Sequence, residues 1–135
     1  MTFHVMLPPN NRLKKIRDFN LLMEHGRWYN GSFLNIRVLE LARLRKEYYP
    51  KKVDDNFKNQ LKLAFAVGLK VHKGAVKRNR VRRQMREVAR LLLKEDALKE
   101  GFYILFVAKK SVLDKSYAEI SEEMKLLLRK DKILS

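Results

Sequence analysis

The 135 residues amount to one domain, and with 46% of them hydrophobic the chain is expected to fold rather than stay disordered. The 31 Lys and Arg against 15 Asp and Glu give a formal charge of +16, which points to a polyanionic partner, nucleic acid first and an acidic membrane surface second. With no cysteine, disulfides and thiolate metal sites are excluded; no apolar run reaches the roughly 18 residues of a bilayer span, Met1–Arg12 lacks the pattern of a signal peptide, and a cytoplasmic protein is the simplest reading.

In chain order, Met6–Asn11 holds Pro8 and Pro9 and is expected to be extended. Ile16, Phe19 and Met23 fall at helical spacing, which predicts a helix over 16–25 stopped by Gly26. A strand is expected over Ser32–Leu39, with Leu34, Ile36 and Val38 on one face and Phe33, Asn35, Arg37 and Leu39 on the other. Leu41, Leu44 and Tyr48 suit a short helix ended by Pro50, and Val53–Gln60 is polar enough for a loop. From Leu61 the apolar residues Leu61, Leu63, Phe65 and Val67 alternate as in a strand. A basic helix is expected over Val76–Lys94, then a turn over Glu95–Gly101. Phe102–Ala108 is an unbroken apolar run, the mark of a central strand buried on both faces. Ser116 with Glu119 forms a capping box that opens a last helix over Tyr117–Lys130. There is no internal repeat. Helices mixed with a few strands suit an α+β sandwich, with helices packed on a small sheet.

The basic helix is the most informative stretch. On a wheel of about 100° per residue, Val81, Met85, Val88 and Leu92 share an apolar side, while Asn79, Arg82, Arg83, Arg86 and Arg90 gather opposite. Arginine's planar fork bonds two phosphate oxygens at once or stacks on a base. The like charges at 82, 83 and 86 weaken an isolated helix slightly, and bound phosphate would relieve that repulsion. A solvated surface helix and a helix lying on anionic lipid are the other readings. No helix-turn-helix or zinc-finger pattern frames the segment, although DNA stays open as a partner.

Arg78-Asn79-Arg80, followed by Arg82, Arg83 and Arg86, resembles the signature helix of the bacterial ribonuclease P protein component. RLKKIRDF at Arg12–Phe19 with His25 and Gly26, and GFYILFVAKK at Gly101–Lys110 with Tyr117, resemble two further blocks of that family in the right order. The resemblance implies a four-stranded sheet packed with helices, a ribosomal-protein-like two-layer sandwich with a left-handed βαβ crossover. It implies a protein subunit whose partners are a catalytic RNA, which uses Mg²⁺ for the hydrolysis, and precursor tRNA carrying a 5′ leader. On that footing the catalytic-RNA-binding residues are Lys73, Lys77, Arg78, Asn79, Arg80, Arg82, Arg83, Arg86 and Arg90. The leader-binding set is Arg12, Lys14, Lys15, Phe19, Met23, Phe33 and Ile36, with Met23 and Ile36 standing where the family more often has an aromatic. The loop Lys70–Val76 is shorter than in the family, and the segment from Glu40 to Gln60 is longer.

Each residue also has a plainer reading. Phe19 is either a base-stacking platform or a core aromatic. Arg12, Lys14 and Lys15 are a phosphate-contacting arm or a solvated terminus. Gly74 lets backbone approach phosphate or merely starts the helix. His4, His25 and His72 share no metal-ligand spacing, and Asp54 and Asp55 look like loop residues rather than an acid/base pair. A ribosomal or chaperone-type RNA-binding protein is the alternative function. An independent nuclease is disfavoured because no carboxylate or histidine cluster suits catalytic metals.

Overall fold

The computed structural model describes residues 7–134. Met1–Met6, which include His4 and half of the segment tested for a signal peptide, lie outside the described residues. The helices are α1 (Ile16–His25), α2 (Ala75–Lys94) and α3 (Tyr117–Lys130), and the strands are β1 (Arg27–Asn30), β2 (Leu34–Glu40), β3 (Leu61–Ala66) and β4 (Phe102–Ala108). Among the described residues no helix is long and apolar enough to cross a membrane.

The strands form one mixed sheet in the order β1-β2-β4-β3. β4 pairs antiparallel with β2 and parallel with β3, so the all-apolar Phe102–Ala108 run is central, as expected. The parallel pair is joined through α2, a βαβ unit. Leu34, Ile36 and Val38 of β2, Leu61 and Leu63 of β3, and Ile104 and Phe106 of β4 pack with Val81, Met85 and Val88 of α2 and Ile120, Met124 and Leu127 of α3. The sheet and these two helices are the main layers. A second, smaller core lies on the other face, where Leu21 and Leu22 of α1 meet Leu39, Leu41, Leu44, Phe57, Tyr103 and Leu105.

Helix ends follow local chemistry. The Ser116 hydroxyl accepts from the Glu119 N–H, and the Glu119 carboxylate accepts from the Ser116 N–H, which is the expected capping box. Gly26 closes α1 with its N–H on the Leu22 carbonyl at 2.9 Å. A Cβ there would stand 2.5 Å from the Leu22 oxygen and 2.9 Å from that of Val38, so only glycine lets the chain turn so close to β2.

Four expectations are corrected. β1 is a strand that periodicity did not predict. β2 starts at Leu34, and Ser32–Phe33 form a bend instead. The helix expected around Leu41–Tyr48 is two 3₁₀ turns, Leu41–Arg43 and Lys46–Tyr48, and the loop after it contains a third, Asp55–Asn59. Side chains repeat every three residues in such turns, so Leu41 and Leu44 both reach the smaller core. Pro9–Asn11 is also a 3₁₀ turn rather than fully extended chain, because Pro9 sits at its first position.

Candidate nucleic-acid interface

α2 presents its basic row as the wheel predicts. Val81, Met85, Val88, Ala89 and Leu92 are buried, Arg83 is exposed, and Arg82, Arg86 and Arg90 are half-buried. Arg82 is fixed by two contacts: Nη1 donates to Asn79 Oδ1 at 2.6 Å and Nη2 to the Val67 carbonyl at 3.3 Å. Burial first, then the charges of Arg82, Arg83 and Arg12, pull the Arg86 guanidinium below its usual value. Arg90 differs from the rest of the row, since its fork is engaged by the Glu87 carboxylate at 2.7 and 3.0 Å. Arg78 Nε is buried without a hydrogen-bond partner among the described residues, and Arg80 reaches the Leu113 carbonyl at 3.4 Å.

The N-terminus of α2 carries no side-chain cap and no acidic residue in its first turn. Its orphan N–H groups and positive dipole end are open to an anion. Lys73 and Lys77 are exposed beside it. Gly74 is its N-cap with ordinary backbone angles, and its N–H donates to His72 Nδ1 at 2.8 Å.

The N-terminal arm joins this surface. Arg12 bridges to Leu63, the Leu13 N–H donates to the Leu63 carbonyl at 2.9 Å, and Asn11 Nδ2 reaches the Leu61 carbonyl at 2.8 Å. The arm thereby covers the free edge of β3. A groove of about 330 Å³ between them is lined by Arg12, Leu13, Leu63, Phe65, Arg82 and Arg86, among others. Arg12 therefore stands with the arginines of α2, whereas Lys14 and Lys15 project into solvent at the start of α1.

α1 crosses the second face of the sheet. Lys62 of β3 reaches Asp18 near its start at 3.4 Å, and Arg37 of β2 donates to the Met23 and Leu22 carbonyls at its end, at 2.6 and 3.3 Å. On one flank the 41–60 segment closes the space: Arg17 donates to the Lys51 carbonyl at 3.0 Å, and the His25 and Tyr48 rings lie 4.5 Å apart. Phe19 and Met23 occupy the other flank, each 38% exposed. That flank borders sheet that no helix covers among the described residues. Pairing places Asn30 with Asn35 and Trp28 with Arg37 on this face, and Ala66 and Val107, partly buried, continue it. The result is an open cleft with an apolar wall at Phe19 and Met23, a floor of mixed polar and apolar residues, and a fixed cation at Arg37.

Two residues of the expected leader-binding set are elsewhere. Ile36 is fully buried under α2 and α3, because β2 alternation sends it to the opposite face. Phe33 precedes the ladder, so alternation does not govern it. The buried Glu123 carboxylate accepts the Phe33 and Leu34 N–H groups at 2.6 and 3.0 Å, and the Phe33 ring turns toward α3 with the Lys115 ammonium 5.2 Å from its centre. Sequence reasoning missed Trp28, Asn35 and Arg37 as cleft residues. The signal for Asn35 and Arg37 was present, since polar residues alternating in an otherwise apolar strand mark its exposed face. Among the described residues no group of three or more His, Cys, Asp or Glu is placed to hold a metal ion.

Comparison with known proteins bears on this surface. A family profile described as Ribonuclease P matches residues 7–132. The chain is 31% identical over 129 residues to a "Ribonuclease P protein component" of Pseudanabaena sp., covering 96% of this chain and 97% of that one. It is 34% identical over 129 residues to the protein of that name in Synechococcus sp., covering 96% and 87%. Among solved structures, an RNase P protein from Staphylococcus aureus superposes with a TM-score of 0.69 at 18% identity, covering 92% of this chain and 97% of that chain. One from Thermotoga maritima superposes at 0.66 with 19% identity, covering 89% and 96%. These two show the shared fold.

Proposed function

Because the chain belongs to the ribonuclease P protein family, and is thus the protein subunit of the endoribonuclease that matures the 5′ end of tRNA, we propose that its two surfaces divide the work between two RNAs. The α2 row, the open N-terminus of α2 and Arg12 dock the catalytic RNA. The cleft beside α1 takes the single-stranded 5′ leader of precursor tRNA. The observation that carries this reading is the separation of the two: the arginines flank the core face of the sheet, while Phe19, Met23 and Arg37 line the other face. A protein laid out in this way holds one RNA without blocking the other.

Chemistry suits each assignment. Arg82, Arg83 and Arg86 crowd like charge around a partly desolvated guanidinium, and phosphates are the counter-charge that relieves it. The cleft pairs half-exposed Phe19 and Met23 with Arg37, apolar surface for base faces beside a donor for phosphate. Lys14 and Lys15, exposed at the head of α1, meet the leader backbone where it enters. Arg90 plays a lesser part, since its fork must leave Glu87 before it can bind phosphate. In this reading the hydrolysis belongs to the RNA subunit and its Mg²⁺, and the particle works in the cytoplasm.

Reconstitution with the cognate RNA tests the division. Arg83→Ala is expected to weaken assembly and leave leader discrimination intact, and Phe19→Ala is expected to do the reverse. If both variants weaken both measurements equally, the two surfaces are not separate sites.

A further inference from the structure

We infer that Trp28, backed by Arg37, is a second base-stacking platform at the β1 end of the cleft, so that the leader is held by two aromatic surfaces rather than by Phe19 alone. This rests on the leader reading above and names the residue that sets how far along the leader the protein reaches.

Three observations carry it. Trp28 is the chain's one tryptophan, and it is 44% exposed on edge strand β1. Tryptophan is more often buried, and an indole left half in water on an edge strand contributes little to folding. The indole is also held from behind. Its cross-strand partner is Arg37, whose guanidinium carbon lies 5.4 Å from the ring centre. Arg37 in turn is tied through Nε and Nη2 to the last carbonyls of α1. A cation fixed on one side of an indole leaves the other side as a preset stacking surface. Finally, the position is continuous with the cleft. Arg37 Nη2 donates to the Met23 carbonyl, so Phe19, Met23, Arg37 and Trp28 follow one another from the middle of α1 to the sheet edge. A strand stacked on Phe19 that follows this line passes Arg37, a phosphate donor, before its next base meets Trp28. Indole gives the largest π-surface of any side chain, and stacking tolerates any base, which suits leaders of varied sequence.

The sole tryptophan also reports on the site. Trp28 emission is expected to be quenched when the reconstituted enzyme binds precursor tRNA, and to stay unchanged with mature tRNA. Trp28→Ala is expected to lower precursor affinity roughly five- to tenfold, the lower end of the range for one stacked base, with mature tRNA affinity and melting temperature kept. Trp28→Phe should recover most of the loss, which a structural role for the indole would not predict. The loss should be absent with precursors whose leaders are trimmed to the length held by Phe19. Equal quenching by mature tRNA, or emission that follows protein concentration without RNA, would overturn the inference by giving Trp28 a different contact. An unchanged precursor-to-mature ratio in Trp28→Ala would also overturn it. If the unmodified enzyme itself shows no such ratio, the leader reading fails first, and the two failures are thus told apart.

Discussion

Replacing Phe19 by alanine separates a binding role from a packing role. Phe19 is 38% exposed on the flank of α1 that borders the open sheet, and it belongs to neither buried cluster. Full burial of such a side chain is worth about 1.5–3 kcal/mol. Scaled by the part actually covered, its loss should destabilise the fold by about 1–2 kcal/mol, against about 3–5 kcal/mol for a core phenylalanine. Stacking on one base contributes about 1–3 kcal/mol, roughly a 5- to 150-fold change in affinity. The expected pattern is a melting shift of a few degrees, a drop in precursor tRNA affinity within that range, and unchanged affinity for mature tRNA and for the catalytic RNA. Thermal melts and paired titrations of the reconstituted enzyme give all four quantities. A stability loss above about 3 kcal/mol with an unchanged precursor-to-mature ratio would place Phe19 in the core and refute the cleft assignment.

Assembly with the catalytic RNA should weaken steeply as salt rises, because each phosphate neutralised releases counterions; a log–log slope near zero would contradict the electrostatic account. Arg83→Ala should reduce that slope by about one with stability changed by no more than about 0.5 kcal/mol, since Arg83 is exposed opposite the buried stripe. Glu123→Ala should cost stability, about 1–3 kcal/mol for each buried N–H it orphans at Phe33 and Leu34, while RNA affinity in the folded fraction is retained; chemical denaturation alongside RNA titration checks both. The Ser116 backbone and hydroxyl hold the Glu119 carboxyl below its usual range. The stability this adds is therefore present above the ordinary carboxylate pKa and fades as pH falls through the lowered value. The gap between the unmodified protein and Glu119→Gln in denaturant melts should close on that acid side, and a gap that widens there would reverse the sign.

What the sequence determined by itself was whatever depends on neighbours in the chain. The face of α2 follows from a 3.6-residue period, the start of α3 from Ser116 and Glu119, the end of α1 from Gly26, and the central place of β4 from an apolar run with no polar break. The family resemblance was legible in the same way, because its blocks are local strings. Tertiary structure decided the rest. β1 is only four residues, RWYN, mostly exposed and without alternation, and it is a strand because β2 offers an edge for it to pair with. That pairing alone puts Trp28 beside Arg37. Phe33 escapes the strand period because a carboxylate 90 residues away takes its N–H. Arg12 meets Arg86 only because the arm lies along the edge of β3. Residues 41–48 form 3₁₀ turns because burying Leu41 and Leu44 against α1 and the sheet outweighs the weak helical pattern of Leu41, Leu44 and Tyr48. A period or a cap is fixed by residues within a turn of one another, whereas the line between Ile36 in the core and Arg37 in the cleft is drawn by what packs on each side of the sheet.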